Sequence, residues 1–183
     1  VVIVQSDFNK DLVEKYFGKR ENVLTISNGT PIDIINSIPK AKLPITGYNK
    51  VWFSASSWRP HKRLASNIEV FKKMAQPDDI MIVAGSNPDA EMNSSENIYY
   101  VGNLSWKEMI SVMKISDNFI HTAWLDHCPN VVVDAKASGC KLYCSSAGGT
   151  KELASVGDVI FNEKEWDFSP TDLYSPPKID YSD

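Results

Sequence analysis

The sequence is poor in most of the features that mark a specialised protein class. It has three cysteines, Cys128, Cys140 and Cys144, an odd number and too few for a disulfide scaffold, so a reducing setting is expected. It has three histidines, none spaced from a cysteine pair as a structural zinc site requires. No apolar run approaches the roughly 20 residues needed to cross a bilayer. The longest, Ile80–Ala84 and Val131–Val133 with its flanks, fall far short. Basic residues are not in excess: 19 Lys and Arg face 23 Asp and Glu, a net charge of -4, which argues against a nucleic-acid partner held by a basic patch. No basic segment precedes the apolar Val1–Val4, so a signal peptide is not expected, and a start at Val rather than Met suggests a segment of a longer chain. Internal repeats are absent.

What is present suits a globular α/β domain. Hydrophobic residues form 43% of 183, enough for one substantial core, or for one domain with a piece of another. Val1–Gln5 reads as a buried strand, and Asp7–Phe17 as a helix capped by Ser6 or Asp7 and stopped by Gly18. Val23–Ser27 is strand-like and ends at the Asn28-Gly29 turn signal. Pro31, Pro39, Pro44 and Gly47 then mark a linker without periodic structure.

From Asn49 the pattern becomes regular. Strands are expected at Val51–Ser54, Asp79–Ala84, Asn97–Val101, Asn118–His121, Lys141–Cys144 and Asp158–Phe161. Helices alternate with them at His61–Ala75, Ser105–Met113, Asn130–Ser138 and Gly149–Ala154, with Ser105 and Glu108 spaced as a capping box. Continuously apolar strands alternating with helices predict a Rossmann-like, mainly parallel sheet with helices on both faces. The expected division is residues 1–48 as an interdomain βαβ-like segment and linker, 49–165 as the Rossmann-like domain, and 166–183 as a loop or truncated tail. Ligands of such sheets sit beyond the carboxyl ends of the strands. There the sequence places Ser56–Lys62, Gly85–Ser86, Gly102–Asn103, Thr122–Asn130 and Ser145–Thr150, rich in Gly, Ser, His, Asp and Lys.

The segment Asp126-His127-Cys128-Pro129-Asn130-Val131-Val132-Val133-Asp134-Ala135-Lys136-Ala137-Ser138-Gly139 resembles the signature of a family of retaining glycosyltransferases, group 1 or glycosyltransferase family 4. These enzymes have the GT-B fold of two facing Rossmann-like domains. The signature is two acids separated by seven residues, the second opening an Ala-x-Ala-x-Gly run; Asp126 and Asp134 hold positions where Glu is usual. Three further matches follow the family's order. Ser6-Asp7-Phe8 with Ile26-Ser27-Asn28-Gly29 resembles the interdomain passage, Pro60-His61-Lys62 its Pro-Glu-Lys segment, and Gly148-Gly149-Thr150-Lys151-Glu152-Leu153 its Gly-Gly-x-x-Glu-Leu turn. The chain departs from the pattern at Ser57, where a basic residue is usual and Arg59 lies nearby. It departs again at Arg63 and His127, where Gly is usual.

The resemblance implies the C-terminal, donor-binding half of a GT-B enzyme that transfers a sugar from a UDP-, GDP- or ADP-sugar with retention of configuration. The implied acceptor is a glycan or a lipid-linked sugar. Lys62 and Arg59 would stabilise charge developing on the departing diphosphate, where loss of one such group costs about 3 kcal/mol. Asp126 would contact the transferred sugar, and Asp134 the ribose hydroxyls. Pro129, Asn130 and Val131 open a helix whose unpaired N–H groups suit phosphate. Gly148, Gly149 and Thr150 form a second such nest, Gly85 permits close approach, and Ile98, Tyr99 and Val101 lie where the family contacts the base. Without the resemblance, capping and dipole complementation account for both acids, and a solvated helix start for the two cations.

No metal or other cofactor is implied. Trp52 and Trp106 read as packing residues, whereas Trp58 and Trp124 stand near strand ends, where a ring could flank the donor. His127 and Cys128 are adjacent, which makes them a poor nucleophile–base pair. In isolation the chain is expected to bind nucleotide but scarcely to transfer sugar, because the family's N-terminal domain carries most of the acceptor site. A nucleotide-sugar epimerase and a non-catalytic sugar-nucleotide-binding domain remain as alternatives, the latter because each Glu-to-Asp departure shortens the reach by about 1.5 Å. A dehydrogenase is disfavoured by the lack of a Gly-x-Gly-x-x-Gly turn. The expected location is cytoplasmic, with peripheral contact at the membrane if the acceptor is lipid-linked.

Overall fold

A computed structural model describes residues 1–86 and 96–181. Eight strands and five α-helices follow one another along the chain. They are β1 (Val2–Val4), α1 (Asp7–Phe17), β2 (Val23–Thr25), α2 (Ile32–Ser37), β3 (Val51–Ala55), α3 (Leu64–Met74), β4 (Ile80–Ala84), β5 (Ile98–Gly102), α4 (Trp106–Met113), β6 (Asn118–His121), α5 (Asn130–Ala137), β7 (Lys141–Ser145) and β8 (Val159–Phe161). The last six strands form one sheet in the order β5-β4-β3-β6-β7-β8, and every neighbouring pair is parallel. The expected Rossmann-like sheet is therefore observed.

Strand periodicity explains why both faces are covered. Val51, Phe53 and Ala55 of β3, Ile80 and Ile82 of β4, Phe119 of β6 and Leu142 of β7 point to one side. There they meet Ile110 and Met113 of α4 and Val132 and Ala135 of α5. The alternate residues Trp52, Met81, Val83, Ile120 and Tyr143 point to the other side, against Val70 and Phe71 of α3. A strand flanked by helices on two sides has no polar positions to spare, hence the unbroken apolar runs in the sequence.

Local chemistry sets several boundaries. Ser6 caps α1, its side chain accepting the Asn9 N–H, and the Gly18 N–H closes the far end on the Glu14 carbonyl. The capping box of α4 is complete: Ser105 Oγ accepts the Glu108 N–H and the Glu108 carboxylate accepts the Ser105 N–H.

Four expectations are corrected. β1 is only partly buried: Val4 is enclosed but Ile3 is 64% exposed, because among the described residues β1 pairs only with β2 in a separate two-stranded sheet. The proline-rich linker contains α2. Its buried Ile35 joins the core, and the Lys114 ammonium donates to the carbonyls of Ile35, Asn36 and Ile38 at its C-terminal end. A residue 76 positions or more away supplies that cap, so local pattern does not show it. The helix expected over His61–Ala75 is broken at Arg63, whose φ of 51 places it in the left-handed region. A 3-10 turn over Pro60–Lys62 precedes the break. The short helix expected over Gly149–Ala154 is a 3-10 turn over Thr150–Leu153. Of the expected tail, 182 and 183 lie outside the described residues. No helix among the described residues is long and apolar enough to cross a membrane.

Candidate functional site

The chain leaves β3 toward β4 and β5 on one side of the sheet, then returns to β6 on the other side of β3. Such a reversal opens a crevice beyond the carboxyl ends of the two central strands. A cleft of about 480 Å³ occupies that place, lined by Ser56, Ser57, Arg59 and Lys62 after β3 and by His121 at the end of β6. Asp126, Pro129, Asn130 and Val131 close one side, and Gly85, Asn103, Leu104 and Met109 another.

The turn that carries the cations is held from both ends. Pro60 starts it with φ already fixed, and Arg63 ends it in the left-handed conformation. The Arg63 guanidinium grips the Glu163 carboxylate with two nitrogens at 2.7 and 2.8 Å and also donates to the Pro177 carbonyl. Such a residue costs about 1 kcal/mol or more in that conformation, and the two-pronged buried ion pair holds it there.

At the centre of the cleft Lys62 Nζ lies 2.6 Å from Asp126 Oδ2, and His121 Nε2 lies 3.0 Å from the same oxygen. Asp126 Oδ1 accepts the His127 N–H. Burial alone would push the Asp126 carboxyl up; the hydrogen bonds and charges of His121 and Lys62 outweigh it and hold the group well below the ordinary carboxylate range. Burial, reinforced by the neighbouring Lys62 charge, pushes the His61 imidazole down.

At the start of α5 the N–H groups of Val132 and Val133 return to the Pro129 carbonyl. Those of Asn130 and Val131 have no intrahelical carbonyl to meet, and both residues line the cleft. The cleft can therefore present two flexible cations and a helix N-terminus to an anion. Among the described residues no group of His, Cys, Asp and Glu is arranged to hold a metal ion.

The structure thus brings together Lys62, Arg59, Asp126, Gly85, Pro129, Asn130 and Val131, and it disposes the other expected residues elsewhere. Asp134 is buried, with one oxygen accepting from Thr30 Oγ1 at 2.5 Å and the other from Trp106 Nε1 at 2.9 Å. It borders a smaller depression that shares Asn130 with the main cleft. Ile98, Tyr99 and Val101 lie along β5, and the cleft is bordered by Asn103 and Leu104 just beyond it.

The Gly148–Thr150 segment does not line the main cleft. The Gly149 N–H is spent on the Asp126 carbonyl at 2.7 Å, and a Cβ on Gly148 or Gly149 would stand 2.6 Å from the Asp126 carbonyl oxygen or 2.0 Å from that of His127. These glycines let two backbones touch. Thr150 is buried, and its hydroxyl has no hydrogen-bond partner among the described residues.

Trp58 and Trp124 do not flank the cleft. Both are buried: Trp58 Nε1 donates to the Ala84 carbonyl, and Trp124 packs near Phe8 and Trp166. His121 escaped residue-by-residue selection because it reads as the last position of an apolar strand. The signal was a histidine at the carboxyl end of a central strand.

The sequence pattern described as Glycosyl transferases group 1 matches residues 37–168. No curated protein matches the sequence. Among solved structures, Alr3699/HepE of Anabaena in complex with UDP is similar over 90% of this chain and 50% of its own, with TM-score 0.74 and 19% identity. Sucrose-phosphate synthase of Thermosynechococcus elongatus aligns over 89% and 45%, with TM-score 0.73 and 12% identity. A glycosyltransferase from Rickettsia africae ESF-5 aligns over 94% and 50%, with TM-score 0.70 and 17% identity. At these identities the likeness is one of fold, and the chain spans about half the length of each protein.

Proposed function

The chain belongs to the group 1 glycosyl transferases, and on that premise we propose that its cleft binds the diphosphate of a nucleotide-sugar donor for retaining glycosyl transfer. The observation that carries this reading is the placement of Arg59, Lys62 and the N-terminus of α5 around one cleft at the reversal of strand order. Two cations and oriented N–H groups are the equipment needed when a sugar–oxygen bond breaks and negative charge gathers on the departing diphosphate.

Asp126 faces the same space, where a carboxylate can accept sugar hydroxyls or support positive charge at the anomeric carbon. Asp134 serves the nucleoside side through the neighbouring depression once Thr30 or Trp106 shares it. UDP is the first nucleotide to test, since Alr3699/HepE binds it. The acceptor, a glycan or lipid-linked sugar, would be held mainly by a further N-terminal domain. That domain would also cover the two-stranded β1–β2 sheet, in which Ile3 and Leu24 are more than half exposed, and Ile26 just after it. A two-stranded sheet is marginal alone.

Calorimetric titration with UDP, GDP and ADP and their sugar conjugates tests the reading. Selective binding of one nucleotide, weakened about tenfold or more by Lys62→Ala, is the expected result. A folded chain that binds none of them, alone or joined to its N-terminal domain, would refute it.

A further inference from the structure

One oxygen in the cleft is reached by two basic side chains. Lys62 Nζ and His121 Nε2 both reach Asp126 Oδ2, at 2.6 and 3.0 Å, and the three side chains are 22%, 2% and 14% exposed, respectively. Neutralising one carboxylate requires only one of them. The two partners also differ in freedom. His121 is the last residue of β6, its backbone paired in register with Cys144 of β7, and its ring is enclosed. Lys62 ends a 3-10 turn and carries its charge on a flexible four-carbon stem at the cleft surface.

A lysine that serves an anionic ligand must loosen its grip on Asp126. A mostly buried carboxylate left without a partner is strongly unfavourable. The fixed histidine removes that obstacle.

We infer that His121 is a positioning residue that takes over Asp126 when Lys62 turns to an anionic ligand in the cleft. For the identity of the ligand this rests on the nucleotide-sugar reading above; the exchange of partners on Asp126 is a property of the chain itself. As Lys62 withdraws, the His121 ring keeps its 3.0 Å contact with the carboxylate. Arg59 and His61 face the pair from the turn that carries Lys62, and His127 follows Asp126 with its N–H already committed. His61, held toward its neutral form by burial and Lys62, is the weaker substitute.

The test is a double-mutant cycle on the unliganded chain with Lys62→Met and His121→Phe, read by thermal unfolding. Each single change leaves Asp126 Oδ2 one side-chain partner, and the pair leaves the carboxylate only the His127 N–H on its other oxygen. The double variant should therefore melt about 5 °C or more below the sum of the single shifts, and Lys62→Met with His121→Gln, which keeps a donor, should recover most of the loss. Additive shifts would overturn the inference.

If His121→Phe does not fold, NMR of the His121 ring in Lys62→Met decides. Its ring resonances should move and its exchange with solvent should slow relative to wild type as the hydrogen bond to Asp126 strengthens, and unchanged signals overturn the inference. UDP titration completes the test. Affinity should fall about tenfold in His121→Phe and be largely kept in His121→Gln, which retains a donor for Asp126. Coupling in the cycle without UDP binding sinks the nucleotide reading and sustains the exchange of partners; UDP binding with an additive cycle does the reverse.

Discussion

Replacing Gly85 by alanine tests whether the cleft wall is built on direct backbone contact. Gly85 follows β4 with φ of 111, and an added Cβ would stand 1.8 Å from the Ser56 carbonyl oxygen and 3.2 Å from Trp58 Nε1. Neither neighbour can yield easily. Ser56 directly follows β3 and its N–H reaches the Ala84 carbonyl, while Trp58 is buried and its ring nitrogen donates to that same carbonyl at 2.9 Å. The variant must therefore accept both an unfavourable φ, costing about 1–3 kcal/mol, and overpacking, costing a further 1–3 kcal/mol or so.

Together these predict a loss of about 2–6 kcal/mol and a melting temperature lower by about 4–24 °C. Ser56 and Ser57 line the cleft, so nucleotide affinity should fall with stability. Gly18→Ala is the internal control: its φ is 75, but an added Cβ would meet nothing within 4 Å. It should lose only the backbone strain, about 1–3 kcal/mol or about 2–12 °C, without the overpacking. Equal shifts for the two variants would refute the argument that close approach, rather than φ, makes Gly85 necessary.

Three further outcomes are expected. Asp126 is held below its ordinary value of 3.8, so its contribution is complete above that pH and is lost as pH falls below it. Melts between pH 6 and pH 2 should show a shallower decline for Asp126→Asn than for wild type, and parallel curves would contradict the ion-pair geometry. Arg63→Ala strands Glu163 beside the buried Ser145 hydroxyl and should cost about 3–5 kcal/mol, seen by urea unfolding; a neutral result would mean that the Arg63–Glu163 pair does not hold the turn in place. Trp106→Phe removes one of two donors to Asp134 and should cost about 1–3 kcal/mol in the same assay, whereas a purely packing role would leave stability nearly unchanged.

The sequence by itself determined the order and most of the boundaries of the elements. Those depend on contacts within a few residues and on apolar period: the Ser6 cap with its Gly18 stop, the Ser105 and Glu108 box, and the two-faced strands whose alternate residues feed opposite cores. The placement of a cleft beyond the carboxyl ends of β3 and β6 was also legible, because parallel connectivity alone puts one there.

Tertiary structure decided what depends on partners distant in the chain. Lys114 makes a helix of Ile32–Ser37 from 76 or more positions away. Glu163 holds Arg63 left-handed from 100 positions away. Thr30 and Trp106 claim Asp134, and the Asp126 carbonyl claims the Gly149 N–H that local sequence would leave for phosphate. His121 belongs with these: a strand-ending histidine shows its chemistry only once the loop after β6 folds Asp126 back over it. Hydrogen bonds and ion pairs act over about 3 Å of space, and sequence separation carries no information about which groups will meet across it.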